Sequence, residues 1–398
     1  MSAWLASRPG AAAVDAGAAA LDRHPGDPLA AGSDLRRSHP DLSPSEASSA
    51  LEQAALRREA VARYGLPGHW LYTRDGLEQA TRPQVSSRRA ALLADSGART
   101  VLDLTGGLGA DVAAFLDAGL HVIAVERDPG TAALLAHNCP EAEVVCADAV
   151  DVLPPLLARL SPVDVVFADP ARRVAGGPRV DGRARPERDP ERWSPPWSAI
   201  AGIAHPRIAA KVAPGFDAPA GWRAEWVSVD RTLVECALYS WLGPERAAIV
   251  CTGGTATVIT RTARPVPRAD HLGGWLHEPD PAVLRAGAQG ALLDTDAGLL
   301  SVDEDSTWLT SGAPSASDAL RSFEVVEVLE GSARQQRARL SELGVTRASV
   351  KSRDTGTAPH DVLRELGLRE GSDDVVAVTR RDGRVIRVLC RPAAARGR

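Results

Sequence analysis

The chain has 398 residues, of which 44% are apolar and 24% are charged, a composition typical of a folded protein with two or three domains. Its 46 basic and 51 acidic residues give a net charge of −5, which excludes a uniformly basic nucleic-acid coat but not a local basic patch. Five dispersed cysteines without a C-x-x-C pair argue against a disulfide framework and a structural zinc site. No basic segment followed by an apolar run marks a signal peptide, and no apolar stretch reaches the roughly 20 residues of a membrane span. We therefore expect a cytoplasmic protein with neither a metal nor a membrane partner, and the sequence leaves the oligomeric state open.

Residues 1–95 are predicted to form an N-terminal helical region. Breakers at Pro9-Gly10, Pro25-Gly26 and Pro40 predict short helices or partial disorder over the first 42 residues. Ser43-Pro44-Ser45-Glu46 has the residue types of a helix start, and a second helix is predicted from near Pro83 to Ala94.

Residues 96–262 alternate short apolar runs with helical patterns, which predicts an α/β core. Strands are predicted at 100–104, 121–125, 143–146 and 163–168, with helices at about 111–117 and 130–138 between the first three. Further strands are predicted at 208–212, 225–229, 233–240, 247–252 and 255–260. Such alternation is typical of a Rossmann-like parallel sheet covered by helices on both faces.

The rest of the chain divides into a turn-rich connector, 263–320, and a small C-terminal α+β domain, 321–392. The predicted order of that domain is strand 323–329, helix 332–343, strand 345–351, helix 359–366 and strands 374–379 and 384–390. Arg381-Asp382-Gly383 indicates a hairpin between the last two strands. Residues 321–398 contain 16 bases and 11 acids, so this part carries a net charge of +5.

The most informative segment is a glycine-rich turn after the first core strand. Val101-Leu-Asp-Leu-Thr-Gly-Gly-Leu-Gly-Ala-Asp111 predicts a strand that ends at Asp103, a sharp turn and a helix that begins near Asp111. A dinucleotide-binding loop is the alternative, but Val112 stands where its third glycine is expected. A carboxylate at the strand end would also repel a pyrophosphate, whereas it would attract an ammonium group. The turn therefore favours a ligand with an amino-acid end.

Four successive core strands end in an acidic residue: Asp103, Glu126, Asp148 and Asp169. One such acid alone is best explained as the solvated end of a strand. Four in phase would lie along one edge of the sheet, where ligands bind in open α/β folds. An acid after the second strand commonly accepts ribose hydroxyls, and one after the third would suit an adenine amino group.

Residues 100–170 resemble the class I S-adenosylmethionine-dependent methyltransferases, with Asp103-Leu-Thr-Gly-Gly-Leu-Gly as the cofactor loop. The resemblance implies S-adenosyl-L-methionine as cofactor, with its methionine moiety at Asp103 and the glycines, its ribose at Glu126 and its adenine amine at Asp148. The cofactor-binding residues that it implies are Asp103, Thr105, Gly106, Gly107, Gly109, Asp111, Glu126, Arg127, Asp148, Ala149 and the upstream Gln79. For Gln79 a role in capping the helix near Pro83 is an open alternative.

Over about residues 45–390 the chain is similar, more specifically, to bacterial methyltransferases of actinobacterial type with a THUMP-like domain. The matching features are Thr73-Arg-Asp-Gly-Leu-Glu-Gln-Ala-Thr81, Asp-Pro-Ala-Arg-Arg from 169, Lys211-Val-Ala-Pro-Gly, Glu278-Pro-Asp-Pro-Ala and the C-terminal unit. The resemblance implies that the C-terminal domain docks RNA, with tRNA or rRNA as the partner. An ordinary small domain with a charged surface is the alternative.

The Asp-Pro-Ala-Arg segment bears on the reaction type. Exocyclic-amine methylases carry Asp/Asn-Pro-Pro and an aromatic residue, whereas this chain has Ala171 and Arg172. The Asp-Pro-Ala-Arg segment resembles that of RNA 5-methyluridine methylases. Those enzymes, however, need a nucleophilic cysteine after the next strand, where this chain has Lys211. Methylation of a base nitrogen is therefore favoured. The predicted catalytic residues are Asp169, which would accept an N–H of the target, Pro170 and Arg172.

An arginine-rich segment follows this motif. Residues 172–192 hold seven arginines, and Trp193 and Trp197 come next. Because arginines pair with phosphates and tryptophans stack on bases, the segment is predicted to guide an extruded nucleotide. The predicted substrate-binding residues are Arg173, Trp197 and Lys211. A solvated loop whose tryptophans pack on the sheet is the alternative.

These patterns together predict an S-adenosylmethionine-dependent methyltransferase of structured RNA, acting at a base nitrogen. Arg380, Arg381, Arg384 and Arg387 on the last hairpin would add phosphate contacts. Two alternatives stay open. The chain could methylate a small molecule or a protein, or it could be an RNA-binding protein that keeps the fold without turnover, given Ala171-Arg172.

Overall fold

A computed structural model describes residues 2–172, 179–180, 183–184 and 187–393. The chain divides into two units. Unit 1 comprises Met1–Val212, Pro219–Trp222 and Ala237–Gly243, and unit 2 comprises Ala213–Ala218, Arg223–Cys236 and Pro244–Arg398.

The N-terminal part of unit 1 is helical, as the sequence predicts. Its helices are α1 (Ser2–Leu5), α2 (Arg8–Arg23), α3 (Pro28–Ser38), α4 (Pro44–Glu59), α5 (Arg74–Gln79) and α6 (Pro83–Asp95), and a π-helical turn, Ala60–Tyr64, extends α4. A capping box starts α4: the Ser43 side chain accepts the Glu46 N–H, and the Glu46 side chain accepts the Ser43 N–H.

Strands and helices then alternate through the rest of unit 1. They are β1 (Thr100–Asp103), α7 (Ala110–Asp117), β2 (His121–Glu126), α8 (Pro129–Asn138), β3 (Glu143–Cys146), α9 (Ala149–Leu157), β4 (Val165–Ala168), β5 (Arg179–Val180), β6 (Arg183–Ala184), α10 (Trp197–Ala201) and β7 (Ile208–Val212), with a 3₁₀ turn at Pro190–Arg192. The short β5 and β6 form a two-stranded sheet with each other.

The parallel sheet of unit 1 has the order β7-β4-β1-β2-β3. Successive strands run outward from β1 to β3, and the chain then returns to place β4 on the other side of β1. This reversal is a topological switch point, the place where open α/β sheets bind ligands beyond their carboxyl ends. Asp103 ends β1 and Asp169 directly follows β4, so both acids lie at the switch point.

The central strands of this sheet are buried on both faces, which explains their continuous apolar runs. Val101, Val122 and Val165 are fully buried on three neighbouring strands. Between α7 and β4, the rings of Phe115 and Phe167 meet edge to face at 5.3 Å. This packing fixes the strand ends on which the candidate site is built.

Unit 2 contains the remaining elements. They are β8 (Arg223–Val229), β9 (Thr232–Tyr239, whose last three residues fall in unit 1), β10 (Arg246–Thr252), β11 (Thr255–Thr260), β12 (Trp275–Pro279), α11 (Pro281–Ala286), a 3₁₀ turn (Gln289–Asp294), β13 (Leu300–Ser301), β14 (Leu309–Ser311), β15 (Leu320–Val328), α12 (Ala333–Glu342), β16 (Arg347–Ser352), α13 (Pro359–Leu366), β17 (Arg369–Arg381) and β18 (Arg384–Pro392).

A seven-stranded sheet of order β13-β14-β12-β15-β18-β17-β16 organises unit 2. It is antiparallel except for the β16–β17 pair. Residues 263–320 therefore differ from the irregular connector that the sequence predicts, because they supply β12, β13 and β14. A buried polar residue hides the strand pattern here: His277 in β12 lies between the hydroxyls of Ser322 and Ser311, at 2.9 and 2.8 Å.

Candidate active site

The glycine turn after β1 encloses the carboxyl group of Asp103, which is 1% exposed. Asp103 Oδ1 accepts hydrogen bonds from the Thr105 backbone N–H at 2.8 Å and from Thr105 Oγ1 at 3.2 Å. Burial, reinforced by the negative charges of Asp111 and Asp169, raises the pKa of Asp103 to about 8. Asp103 is thus a buried carboxyl group whose ionisation a bound cation would favour.

The three glycines of the turn, at positions 106, 107 and 109, have different structural roles. A Cβ on Gly106 would lie 2.6 Å from Leu135 Cδ2, and one on Gly109 would lie 2.6 Å from Cys139 Sγ. These two glycines therefore let the turn pack closely on α8 and its C-cap residue. Gly107 has a φ of +54° and open surroundings, because the nearest atom to a Cβ added there would be the Thr105 carbonyl oxygen, at 3.8 Å. Only Gly107 thus leaves room on the side of a ligand.

Glu126 at the end of β2 holds the turn in place. Its carboxylate accepts the Gly107 N–H at 3.0 Å and the Asp128 N–H at 2.9 Å. The Glu126 side chain is partly exposed. The predicted ribose-binding acid is thus linked directly to the predicted cofactor loop.

Asp148 follows β3 at the same edge of the sheet and caps α9, whose first residue is Ala149. Its Oδ1 accepts the Val150 N–H at 3.0 Å, and its Oδ2 lies 3.9 Å from Nη1 of Arg127. Both charged side chains are well exposed. The cap is a structural role, and it leaves Asp148 and Arg127 accessible to a ligand.

A buried polar network joins the strand ends to the N-terminal helices; we call it the strand-end network. Lys211 at the end of β7 donates from Nζ to Asp169 Oδ2 at 2.6 Å and to Thr81 Oγ1 at 2.9 Å. Thr81 Oγ1 in turn donates to Asp111 Oδ2 at 2.6 Å, and Asp111 Oδ1 accepts a hydrogen bond from Arg89. Four of its five members are less than one-tenth exposed, namely Thr81, Arg89, Asp111 and Lys211.

Asp169 is the member of this network that reaches solvent, with its side chain 27% exposed. Its backbone N–H donates to Thr105 Oγ1 at 2.6 Å, which connects the network to the Asp103 turn. Lys211 fixes Oδ2, while Oδ1 accepts no hydrogen bond within the described residues. Pro170, which follows, is buried. The geometry presents one oriented carboxylate oxygen at the switch point.

Asp111 has both carboxylate oxygens engaged by protein side chains, Thr81 and Arg89. Its position in the first turn of α7 is the one the sequence predicts, but its observed contacts hold the network rather than face a ligand. Arg89, whose guanidinium lies 5.1 Å from the Phe167 ring, is a member that was not identified from the sequence. A signal was present, because Arg89 stands four residues from both Val85 and Leu93 on the buried face of α6.

The segment upstream of the core packs on the cofactor loop. A Cβ at Gly76 of α5 would collide with the Leu108 side chain, so α5 approaches the glycine turn as closely as backbone allows. The predicted cofactor residue Gln79 is exposed at the end of α5, and its Nε2 donates to the Asp75 carbonyl at 3.0 Å within the same helix. Thr81, not Gln79, joins the strand-end network.

Two buried amides hold this segment, and neither was identified from the sequence. Asn138 accepts the Leu71 N–H at 2.8 Å and donates to the carbonyls of Leu71 and Leu108, each at 3.0 Å. Gln53 binds the backbone of Tyr72 in the same two-way manner. Because the contacts between Asn138 and Leu71 span 67 residues, no local pattern reveals them.

The residues predicted to contact substrate are placed unevenly. Trp193 is 3% exposed and its Nε1 donates to the Glu187 carbonyl at 3.3 Å, so it packs inside unit 1 and does not offer a face to a base. Trp197 is partly exposed, with its ring 5.8 Å from that of Trp222. Arg172 is also partly exposed, while Arg173 lies outside the described residues.

The arginines of the last hairpin make more intramolecular bonds than the sequence suggests. Arg381 donates to the carbonyls of Ala269, Asp270 and Val302, and Arg380 donates to that of Asp354. Arg387 bonds to Gln336 and Glu365. Arg384 is exposed. Three of the four arginines thus stabilise unit 2, so the predicted phosphate surface is not a simple row of solvated cations.

Comparison with a solved structure confirms the predicted α/β fold. A crystal structure of a candidate methyltransferase from Porphyromonas gingivalis superposes with a TM-score of 0.68 at 21% identity, covering 89% of this chain and 92% of that one. Residues 320–392 match the family model described as THUMP domain-like. The predicted THUMP-like domain is therefore confirmed.

The chain is also similar to curated proteins over most of its length. An uncharacterized S-adenosylmethionine-dependent methyltransferase of Mycobacterium tuberculosis, known from strains H37Rv and CDC 1551, is 28% identical over 375 residues. The match covers 86% of this chain and 96% of the relative. The chain is thus similar over most of its length to a protein described as an S-adenosylmethionine-dependent methyltransferase, and it carries a THUMP-like domain, as the sequence predicts.

The described residues also bear on metals and membranes. Within that part of the chain, no group of three or more His, Cys, Asp or Glu side chains is placed to hold a metal ion. Nor does any helix there combine the length and the apolarity that crossing a bilayer requires.

Proposed function

We propose that the chain is an S-adenosylmethionine-dependent methyltransferase that methylates a base nitrogen in structured RNA, tRNA or rRNA. The observation that carries this proposal is the oriented carboxylate of Asp169, which Lys211 holds at the switch point beside the Asp103 turn. Similarity to a relative described as S-adenosylmethionine-dependent supports the cofactor.

The chemistry of the strand-end carboxyl groups fits this cofactor. S-adenosylmethionine supplies an electrophilic methyl group when bound, and its amino-acid end carries an ammonium group. Asp103 would hold that ammonium, since it is a carboxyl group whose pKa is raised by burial and by the nearby Asp111 and Asp169, so a cation beside it would favour its ionised form. Glu126 would accept the ribose hydroxyls, Asp148 would accept the adenine amine, and the space beside Gly107 leaves room for the ligand.

Asp169 would position the nitrogen of the substrate. Its Oδ1 would accept an N–H from the target, which aims the nitrogen lone pair at the methyl group, and it would take up the proton that the methylated nitrogen releases. Lys211 holds the carboxylate in this orientation, and the Thr105 hydroxyl accepts the Asp169 backbone N–H and so fixes the backbone that carries it. Such positioning supplies on the order of 7–11 kcal/mol of the barrier reduction in reactions of this kind.

RNA is the proposed substrate because of the C-terminal domain. Its THUMP-like family match and the net charge of +5 over residues 321–398 both favour a polyanionic partner. A cytoplasmic location follows from such a substrate. Trp197, Arg172 and Arg173 remain proposed contacts for the target nucleotide.

Transfer of a labelled methyl group tests the proposal. The full chain is incubated with methyl-labelled S-adenosylmethionine and, separately, with tRNA, rRNA and protein extracted from cells that lack the protein. We expect label in an RNA fraction, released on digestion as an N-methylated nucleoside.

Asp169→Asn provides the matched variant, and Glu141→Gln, at an exposed acid outside the network, provides the control. Asp169→Asn should lower kcat at least about 100-fold with less than a twofold change in cofactor affinity, because the group acts on the target nitrogen. Label in protein only, or equal kcat for both variants, would refute this assignment.

A further inference from the structure

Unit 2 contains a second charged cluster, centred on Glu278, that the proposed chemistry does not use. The Glu278 side chain in β12 is 5% exposed and carries one cation on each oxygen. Lys351 Nζ lies 2.8 Å from Oε2, and Arg353 Nη2 lies 2.8 Å from Oε1. Arg231 Nη2 is 3.8 Å from Oε2. We call this group, with Asp280 and Arg321, the Glu278 cluster.

The fold places these residues on one side of the unit 2 sheet. Glu278 of β12 lies directly opposite Arg321 of β15 in the antiparallel ladder, so their side chains project from the same face. The Arg321 guanidinium is 5.3 Å from the Phe323 ring centroid, and Lys351 Nζ is 5.9 Å from the same centroid. A buried aromatic ring thus forms a floor under two of the cations.

Arg231 reaches the cluster from a strained turn between β8 and β9. Asp230 and Arg231 have φ angles of +46° and +63°, a conformation that costs roughly 1 kcal/mol or more per non-glycine residue. Nη2 of Arg231 donates to the carbonyls of Glu278 and Pro279, at 2.9 and 3.2 Å. Nη1 of Arg231 and Oδ2 of Asp280 are both buried, and neither has a hydrogen-bond partner within the described residues.

The charges of the cluster do not balance. Burial opposes the ionisation of Glu278, but hydrogen bonds from Lys351 and Arg353 outweigh it and hold the pKa below its usual value. Glu278 therefore stays ionised, and with Asp280 it offsets two of the four cations. A surplus of two positive charges remains on Arg231, Arg321, Lys351 and Arg353.

Three of these cations are accessible to an anion. The side chains of Lys351 and Arg353 are 24% and 31% exposed, and Arg321 is exposed. Glu278 holds the first two side chains in fixed positions, so an anion would meet preorganised donors at a small entropic cost.

We propose that the Glu278 cluster binds phosphate, and that in the working protein this is a backbone phosphate of the RNA substrate. This inference rests on the proposed RNA methyltransferase function. Guanidinium groups match the geometry of phosphate oxygens, and a phosphate would neutralise part of the surplus charge. The cluster thereby serves as an anchor for RNA through unit 2.

RNA titrations of the full-length protein test the anchor. The variants Arg321→Gln and Arg353→Gln each remove one cation of the cluster, and Arg334→Gln removes an exposed arginine of α12 as a control. Affinity for tRNA or rRNA should fall about threefold to tenfold for the first two and less than twofold for the control. The slope of log affinity against log salt should drop by roughly 0.7–0.9 for each lost phosphate contact.

Glu278→Gln gives an effect of opposite sign, because it raises the surplus charge. It should bind RNA more tightly than the wild type, provided that circular dichroism shows an unchanged fold. Equal affinity in Arg321→Gln, Arg353→Gln and Arg334→Gln, with RNA still bound by the wild type, would overturn the anchor and leave the RNA substrate intact. The absence of RNA binding in the wild type would instead refute the proposed RNA substrate.

Competition with inorganic phosphate shows whether the Glu278 cluster binds a backbone phosphate of RNA or a free phosphate compound. As a competitor at fixed ionic strength, inorganic phosphate should displace RNA from the wild type only at millimolar concentrations, since a backbone phosphate is held by its neighbours in the strand as well. Displacement by micromolar phosphate, abolished in Arg321→Gln, would show that a free phosphate compound is the ligand and would contradict the backbone assignment.

Discussion

The strand-end acids of unit 1 and the Glu278 cluster of unit 2 are built from the same residue types with opposite charge balance. In unit 1 the strand-end network pairs Asp111 and Asp169 with Arg89 and Lys211, and the neighbouring Asp103 is an additional acid. In unit 2, four cations face Glu278 and Asp280. The first site has an acid in excess and suits a ligand with an ammonium group, whereas the second has cations in excess and suits a phosphate.

The difference shows how buried ion pairs can indicate a ligand. Removing a charge from water costs several kcal/mol, so buried charges are usually matched by partners. Where a charge has no partner of opposite sign in the protein, a ligand group of opposite charge could supply that partner. Asp103 is the additional acid in unit 1, and the cations that exceed Glu278 and Asp280 are the unmatched charges in unit 2.

The largest expected effect comes from breaking the matched part of unit 1. Arg89→Met should lower the free energy of unfolding by about 3–5 kcal/mol, because it leaves the buried carboxylate of Asp111 without its cation. Urea denaturation of the full chain measures the loss. The control is Arg36→Met on α3, an exposed arginine, which should change stability by less than about 0.5 kcal/mol.

A double mutant shows whether the loss belongs to the pair. Adding Asp111→Asn to Arg89→Met should recover at least about 1 kcal/mol, since the uncompensated charge is then gone. Additive losses would mean that Arg89 stabilises unit 1 only by packing on Phe167, and the charge argument for the network would fail.

The part of this site that can be predicted from the sequence depends on regular spacing. Asp103, Glu126, Asp148 and Asp169 each follow an apolar strand, and parallel strands bring their carboxyl ends to one edge. The acids can therefore be placed without coordinates. The same holds for the glycine turn, although the turn packs on α8 at Gly106 and Gly109 for reasons that only the structure reveals.

The rest of the site depends on contacts between distant segments. Lys211 meets Thr81 across 130 residues, and Asn138 meets Leu71 across 67. No periodicity encodes such pairs. Similarly, the arginines of the last hairpin look like a phosphate surface in the sequence, but Arg381 is used to bind three carbonyl groups. The tertiary partners of a charged residue decide whether it is available to a ligand.

An intermediate effect is expected from the unmatched acid. Because the pKa of Asp103 is raised to about 8, the cofactor's ammonium must displace a proton below that pH, and its affinity should rise up to tenfold per pH unit from 6 toward 8. Above pH 8 the affinity should fall again as the ammonium, like other α-amino groups with a pKa of roughly 8, loses its proton. Calorimetry in buffers of different ionisation enthalpy measures the proton release.

Asp103→Asn is the matched variant for this dependence. It should bind the cofactor more weakly at pH 8 and lose the rise in affinity between pH 6 and 8. The same raised pKa stabilises the fold at low pH, and this contribution decreases as pH rises from the unfolded pKa near 3.9 through the folded value of about 8. A cofactor affinity in the wild type that is flat from pH 6 to 8 would disprove the ammonium assignment.

The smallest effect is expected in unit 2, where cations are in excess. Arg321→Gln removes a positive charge, as Arg89→Met does in unit 1. It should nevertheless change the free energy of unfolding by no more than about 0.5 kcal/mol. Its partner on the ladder, Glu278, keeps Lys351 and Arg353, and the repulsion among the remaining cations decreases. Urea denaturation at low and high salt measures this, and the difference between the variant and the wild type should shrink as salt screens that repulsion. A loss of about 2 kcal/mol or more would mean that Arg321 is a matched partner of Glu278, in which case the surplus charge on which the phosphate site depends would not exist.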